Sequence, residues 1–241
     1  MLQVHSIETL GTHEGPGIRL VVFLQGCNIN CLYCHNPDTK SLAGGREMTV
    51  SEILELAERQ RPYFGDNGGV TISGGEPTLK ANELIVLFGE LKKRGIHTAL
   101  DTNGTIDTGA VRELYALTDL LLLDIKHINN IWHRKITDTT NDVVMRMAKY
   151  REESGLPVWL RYVLLPGYTD QEEYLLEFGR IFTDFGTVER LEILPYHTLG
   201  VQKYEALSES YQLVGVTAPS LSAVKRARDV LLKYFKNVVI R

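Results

Sequence analysis

Short apolar runs alternate with amphipathic stretches along this chain. The runs are rich in Val, Ile and Leu and occupy positions 18–24, 70–73, 98–102, 120–125, 158–165, 188–194 and 238–240. The run at 120–125 is apolar without alternation, which is typical of a strand that is buried on both faces of a sheet. Strand-like runs that are separated by helical stretches predict parallel βα units.

The stretches between these runs carry apolar residues at helical spacing. A capping box, Thr49-Val50-Ser51-Glu52, predicts the start of the first helix. Further helices are predicted at 82–94, 111–117, 141–153, 174–185 and 221–234, with a loop at 195–219. The count of six βα units is short of the eight that close a TIM barrel. We therefore expect an α/β fold, a partial (β/α)6 barrel that is open on one side.

Composition narrows the class of protein. The chain has 241 residues, 44% of them hydrophobic, with a formal net charge of −4, which suits one domain over 1–241. This charge gives no general attraction to nucleic acid or to an anionic membrane. No apolar stretch approaches the ~20 residues of a membrane span, and residues 1–6 do not read as a signal peptide. We expect a cytoplasmic monomer.

All the cysteines of the chain lie within eight positions, at Cys27, Cys31 and Cys34. Thiolates favour iron–sulfur clusters, zinc or copper(I). Three thiolates hold three irons of a [4Fe-4S] cube and leave the fourth iron open for a small molecule. The alternatives are inert buried thiols, or a structural zinc site that takes its fourth ligand from His5, His13 or His35.

Polar residues follow several of the predicted strands. These are Gly74-Gly75-Glu76, Asp101-Thr102-Asn103, Asp124-Ile125-Lys126, Arg161 and Pro195-Tyr196-His197. Each alone has an ordinary interpretation, such as a turn, a helix cap or a solvated charge. Because a barrel brings the carboxyl ends of its strands to one rim, we expect these residues to share a pocket with the cysteines.

Seven motifs in the same order resemble those of the radical S-adenosylmethionine (radical SAM) enzymes, and in particular the pyruvate formate-lyase activating enzymes. The resemblance covers essentially the whole chain. Besides the C-x3-C-x2-C loop with Tyr33 before its last cysteine, the motifs are Gly11-Thr12 with Gly15-Pro16-Gly17-Ile18-Arg19, Tyr33-Cys34-His35-Asn36, Ser73-Gly74-Gly75-Glu76, Asp101-Thr102-Asn103-Gly104, Leu123-Asp124-Ile125-Lys126 and Leu194-Pro195-Tyr196-His197.

The resemblance implies the cofactors and their residues. A [4Fe-4S] cluster is held by Cys27, Cys31 and Cys34. S-adenosylmethionine is bound by Tyr33, Cys34, His35, Gly74, Gly75, Asp124, Ile125, Lys126 and His197. Asp101, Thr102 and Asp124 surround a monovalent cation, Na+ or K+. Glu76 is interpreted as holding the turn rather than as a ligand.

The resemblance also implies the reaction. The reduced cluster splits S-adenosylmethionine to methionine and a 5′-deoxyadenosyl radical, which removes a Cα hydrogen from one glycine of pyruvate formate-lyase under anaerobic conditions. A flavodoxin or ferredoxin supplies the electron. Glu14, Arg19 and Arg161 contact the substrate peptide, and Glu14 stands where relatives usually carry Asp. The alternatives are a radical SAM enzyme with a small-molecule substrate and a zinc-stabilised binding module.

Overall fold

The computed structural model describes all 241 residues as nine strands and eight α-helices. The chain divides into two compact units. Unit 1 comprises Met1–Asn28 and Thr39–Leu122, and unit 2 comprises Ile29–Asp38 and Leu123–Arg241. The expectation of a single domain stays a prediction. None of the helices has the length and apolar character that are needed to cross a membrane.

Unit 1 is built on a mixed sheet. Its strand order is β3-β1-β2-β4-β5-β6. Strands β2, β4 and β5 are parallel to one another, whereas β1 runs antiparallel to both β2 and β3. The strands are β1 (Leu2–Gly11), β2 (Arg19–Leu24), β3 (Arg46–Met48), β4 (Gly69–Gly74), β5 (His97–Thr102) and β6 (Leu120–Asp124), which ends in unit 2; the helices are α1 (Val50–Phe64), α2 (Ala81–Lys93) and α3 (Gly109–Leu117).

Unit 2 continues the alternation of strands and helices. Strands β7, β8 and β9 are parallel neighbours in that order. The elements are α4 (Asn130–Thr137), α5 (Asp142–Glu153), β7 (Val158–Leu164), α6 (Glu172–Phe182), β8 (Val188–Pro195), α7 (Val201–Ala206), α8 (Leu221–Leu231) and β9 (Val238–Ile240).

The hydrophobic pattern predicted these elements well. All seven apolar runs are strands, and the capping box at Thr49 is present, with Glu52 accepting from the Thr49 backbone N–H at 2.7 Å. The fully apolar run is buried throughout Leu120–Leu123. Predicted helix ends differ from the observed ones by at most three residues; for α1 only the start was predicted, and it runs to Phe64.

Four elements were not predicted. The sequence of β1 and β3 lacks a sustained alternation of apolar and polar residues. In β1, Leu2 and Val4 are buried, but the rest of the strand is largely polar. Five residues separate the end of β6 from the start of helix α4, and α7 lies in the stretch that was predicted as a loop. Because α4 and α7 span eight and six residues, they are too short to be stable alone and depend on tertiary contacts.

Candidate functional site

The cysteine loop leaves the carboxyl end of β2. Cys31 is buried, Cys27 and Cys34 are half-buried, and none of the three forms a disulfide. No group of three or more His, Cys, Asp or Glu side chains is arranged to hold a metal ion. This finding does not conflict with a cube, because each thiolate of a cube binds a different iron and the ligands need not converge on one ion.

Backbone contacts within unit 1 hold the Cys27 end of the loop. The Gly26 N–H donates to the Thr39 carbonyl at 2.8 Å, and the Cys27 N–H donates to the Lys40 carbonyl at 3.1 Å. The next residue, Asn28, is held by its side chain. It donates to the Thr105 hydroxyl at 2.7 Å and accepts from the Asn103 amide at 3.1 Å.

The glycine pair after β4 packs directly against this end. The Gly75 N–H donates to the Leu24 carbonyl at 3.0 Å, and the next N–H donates to the Gly26 carbonyl at 2.7 Å. A Cβ on Gly75 would lie 2.0 Å from the Gly26 oxygen, and Gly74 has a φ of +120°. Neither position therefore tolerates a side chain. Their most direct role is to bring two segments of backbone together at the start of the cysteine loop.

Glu76 organises the turn that follows. Its buried carboxylate accepts hydrogen bonds from the Thr78 N–H, the Thr78 hydroxyl, the Thr102 hydroxyl and the Asn103 N–H, at 2.5 to 2.9 Å. Burial raises the pKa of Glu76, although these hydrogen bonds oppose the rise. The interpretation of Glu76 as the residue that holds the turn is confirmed.

Two further predicted residues lie at the end of β5. Asp101 accepts a hydrogen bond from the Ser73 hydroxyl at 2.7 Å. The Thr102 hydroxyl, besides its bond to Glu76, accepts from the Gly104 N–H at 3.1 Å. Both side chains therefore belong to the polar network of unit 1, whose oxygen atoms suit a hard cation.

The structure corrects the prediction that Arg19 contacts a peptide. Arg19 is fully buried, and its guanidinium donates to the Thr71 hydroxyl at 2.9 Å and to the Val70 carbonyl at 2.7 Å. Burial lowers its pKa to about 9, against the opposing charge of Asp119. Arg19 thus supports the sheet from within. Glu14 is half-buried, and its backbone carbonyl accepts from the Thr71 hydroxyl at 2.6 Å.

In unit 2, helix α4 holds the middle of the cysteine loop. The Asn30 N–H donates to the Thr137 carbonyl at 3.2 Å, and the Leu32 N–H donates to the Ile136 carbonyl at 2.9 Å. These bonds fix the backbone on both sides of Cys31. They use the last carbonyls of a helix, which have no partner within the helix itself.

The buried Tyr33 and the half-buried Asp124 and Lys126 form one polar group. The Lys126 ammonium donates to the Asp124 carboxylate at 2.6 Å and lies 5.8 Å from the centre of the Tyr33 ring. Burial alone would lower the pKa of Lys126, but Asp124, Tyr33 and Cys31 raise it well above its usual value. Burial also raises the pKa of Tyr33, whose buried hydroxyl has no hydrogen-bond partner. Between Asp124 and Lys126, Ile125 is buried and its N–H donates to the Arg161 carbonyl at 2.9 Å.

His35 and His197 stack on each other. Their ring centres are 4.0 Å apart, and the His35 Nε2 lies 3.0 Å from the His197 carbonyl, a hydrogen bond in which the ring donates. Burial lowers the pKa of His35, and the charge of His197 lowers it further. This flat pair of rings next to the last cysteine suits stacking with an aromatic base.

Arg161 is nearly buried and faces Glu192 on the neighbouring strand. The two residues are paired in register on β7 and β8, with 3.3 Å between Nε and the carboxylate. Glu192 is fully buried and also lies 3.0 Å from the Arg241 guanidinium and 3.6 Å from that of Arg190. Three guanidinium groups therefore lie around one buried carboxylate.

Sequence reasoning missed the residues that hold the loop from outside. They are Asn28 and Thr105 in unit 1, and Ile136, Thr137, Lys203 and Tyr204 in unit 2. Two of them act through backbone carbonyls, which leave no trace in side-chain identity. The signal that was available is the Asn103-Gly104-Thr105 sequence, since Asn and Thr at a turn often bond the nearby backbone.

Comparison with known proteins defines the class. Residues 21–179 match the family model described as the radical SAM superfamily. The chain is 46% identical over 232 residues to a pyruvate formate-lyase-activating enzyme of Staphylococcus aureus (strain USA300), covering 93% of this chain and 92% of that one. The chain therefore belongs to the radical SAM superfamily and, within it, to the family of the pyruvate formate-lyase-activating enzymes.

Solved structures share the fold. A domain of a pyruvate-formate lyase-activating enzyme from Bacteroides vulgatus matches with a TM-score of 0.61 and 24% identity, covering 72% of this chain and 99% of that one. Streptococcus suis SuiB bound to its precursor peptide SuiA matches with a TM-score of 0.71 and 17% identity, covering 95% of this chain and 49% of that one. The predicted α/β fold, with an open, mostly parallel sheet of the radical SAM type, is confirmed.

Family membership implies a [4Fe-4S] cluster and S-adenosylmethionine, and the residues fit them. The donors are three thiols without a disulfide, on one loop whose backbone is held on both sides of Cys31. Thiolates are the usual ligands of such clusters, and three of them leave one iron open. The alternative of a zinc-stabilised binding module is excluded by the family to which the chain belongs.

Proposed function

We propose that this chain is the activating enzyme of a pyruvate formate-lyase. The observation that carries the proposal is the 46% identity to a protein of that name over 93% of the chain. When bound, the cluster supplies one electron and S-adenosylmethionine supplies the adenosyl group, which takes a hydrogen atom from the Cα of one glycine of the partner and leaves a glycyl radical there.

The chain's own residues bind and orient the reactants. Cys27, Cys31 and Cys34 hold the cluster. The stacked rings of His35 and His197 offer a flat face to the nucleoside, with Tyr33 on the same loop. The paired charges of Asp124 and Lys126 suit the amino and carboxylate groups of the methionine part, because each group of such a zwitterion finds an opposite charge.

Three parts of the proposal rest mainly on the family. Gly74 and Gly75 leave their backbone open to the methionyl group, and Ile125 lines the same site. Asp101, Thr102 and Asp124 hold Na+ or K+ through oxygen atoms, the ligands that hard cations prefer. Glu14 and Arg161 contact the peptide that carries the glycine.

The cellular setting completes the proposal. A flavodoxin or ferredoxin delivers the electron, and the activase works as a monomer in the cytoplasm of a cell that lacks oxygen. A cytoplasmic setting agrees with three cysteines that form no disulfide.

The decisive experiment uses the protein reconstituted with iron and sulfide without oxygen. After reduction, it is mixed with S-adenosylmethionine and pyruvate formate-lyase, and the glycyl radical is measured by electron paramagnetic resonance. We expect a doublet signal that is absent with Cys31→Ala and absent when the partner's glycine is replaced by alanine. A fully loaded cluster that gives no doublet would refute the proposed partner and favour a small-molecule substrate.

Asp124→Ala tests the binding of S-adenosylmethionine separately from the cluster. We expect unchanged iron content and a dissociation constant about ten-fold higher, since a charge-assisted contact is lost. Calorimetry under argon measures both variants, with Asp66→Ala, at an exposed turn, as the control. An affinity unchanged from wild type would exclude Asp124 from the binding site.

A further inference from the structure

The segment from Tyr196 to Tyr211, which includes α7, makes several contacts with Cys34 and the residues that follow it. The Tyr204 hydroxyl donates to the Cys34 carbonyl at 3.0 Å. Lys203 donates to the Asn36 side chain at 2.9 Å and to Asp38 at 3.1 Å. His197 stacks on His35. In addition, a Cβ on Gly200 would lie 2.9 Å from the His35 Cα.

These contacts determine the position of α7. The helix has six residues and no side-chain cap at its start, so it has little stability of its own. Its buried residue is Tyr204, the one that reaches the Cys34 carbonyl. The helix is therefore held in place by the loop that it contacts, and it holds that loop in return.

The Tyr204 ring is itself fixed by two other tyrosines. Its centre lies 5.0 Å from that of Tyr211 in an edge-to-face arrangement, and the Tyr211 and Tyr196 hydroxyls are 2.7 Å apart. Tyr196 is buried. The Tyr204 phenol that bonds to Cys34 is thus oriented by packing, whereas the Tyr211 hydroxyl pairs with the hydroxyl of Tyr196.

We propose that Tyr204 is a positioning residue for the cluster ligand Cys34, with Lys203 as a second tether on the same loop. The hydrogen bond fixes the orientation of the Cys34 peptide and places the hydroxyl dipole beside the residue that supplies the thiolate. Groups just outside the ligands set both the affinity and the reduction potential of a metal centre. The inference needs the cluster of the family but not the proposed protein partner.

The test compares Tyr204→Phe with Tyr211→Phe. Each removes one hydroxyl from the same group of rings, but only the first removes the bond to Cys34. We expect Tyr204→Phe to load its cluster, to lose iron to a chelator about ten-fold faster than wild type, and to show a shifted midpoint potential in a redox titration followed by electron paramagnetic resonance. Tyr211→Phe should match wild type in both measurements.

Lys203→Met provides an independent variant. It keeps a long apolar side chain and removes the bonds to Asn36 and Asp38, so iron should again be lost faster than from wild type, with a smaller change in potential. Equal behaviour of Tyr204→Phe and Tyr211→Phe would overturn the proposal, as would a wild-type potential in Tyr204→Phe. If the variants behave as expected but the protein forms no glycyl radical, the proposed function is refuted and the role of Tyr204 is not.

Discussion

The two ends of the cysteine loop are held in different ways. At the Cys27 end, two backbone segments pack directly on each other: Gly26 and Gly75 approach so closely that no side chain fits between them. From Cys31 to Asp38, helices α4 and α7 hold the loop, with carbonyls from α4 and with side chains from α7. The first arrangement is steric, and the second depends on the stability of two short helices.

This difference has a consequence for the effect of mutations and of pH. A steric contact tolerates no added atom, so a change there acts on the whole loop at once. A contact made through short helices weakens gradually. Helix α4 contains the buried His133 and lies next to the buried His127, and the pKa values of both histidines are lowered chiefly by burial. Acid should therefore loosen the Cys31 part of the loop before the Cys27 end.

Gly75→Ala should have the largest effect. The new Cβ would lie 2.0 Å from the Gly26 oxygen, which forces the segments apart and weakens two backbone hydrogen bonds. We expect a loss of about 4 kcal/mol in the free energy of unfolding, from overpacking and the weakened bonds together, and almost no iron after reconstitution. Urea unfolding and iron analysis measure these quantities.

The matched control is Gly89→Ala. Gly89 lies inside α2, and a Cβ there would meet nothing within 4 Å. Alanine is the better helix former, so this variant should be more stable by about 1 kcal/mol and bind iron normally. If Gly75→Ala were as stable and as iron-rich as Gly89→Ala, the steric account of the Cys27 end would be wrong.

The second prediction concerns His127 and pH. Its Nδ1 accepts from the Asn129 N–H at 2.9 Å and its Nε2 donates to the Tyr168 carbonyl at 3.1 Å, so the ring is neutral when folded. Burial lowers its pKa from 6.5 to about 4. The unfolded chain takes up the proton below pH 6.5, so this stability is present above pH 6.5 and is lost as the pH falls to 4, by about 3 kcal/mol at most.

His127→Gln keeps an acceptor and a donor without a titrating group. Its stability should depend less steeply on pH than that of wild type between 6.5 and 4, and amides of α4 should exchange with deuterium more slowly in acid than they do in wild type. His13→Gln, at an exposed position, serves as the control. An unchanged pH profile in His127→Gln would show that acid does not act through this ring.

The smallest effect is expected from Asn129→Ala. Asn129 caps α4, and its side chain accepts from the Ile131 N–H at 3.0 Å and the Trp132 N–H at 3.2 Å. Loss of such a cap costs about 1 kcal/mol. Iron should still bind but leave faster in a chelator assay, because the carbonyls that hold Cys31 belong to the same helix. A normal rate of iron release from a destabilised variant would show that the stability of α4 does not affect the cluster loop.

The predictable part of the site was carried by side-chain identity. Three cysteines in one loop, Asp124 two residues before Lys126, and the polar residues after several strands were all visible in the sequence. The contacts of Arg19 were not. An arginine in an apolar run is compatible with an exposed and with a buried position, and only the three-dimensional packing, with Thr71 and Val70 as its partners, distinguishes the two.

The sequence by itself determined the order of the seven apolar strands and the six predicted helices, the capping box at Thr49 and the set of three thiols, because these depend on local spacing and on residue chemistry. Only the tertiary structure decided that α4 and α7 form, that Gly75 closes on Gly26, and that Tyr204 reaches Cys34. Such contacts join residues far apart in the chain, and several use backbone atoms that every residue carries, so no residue pattern encodes them.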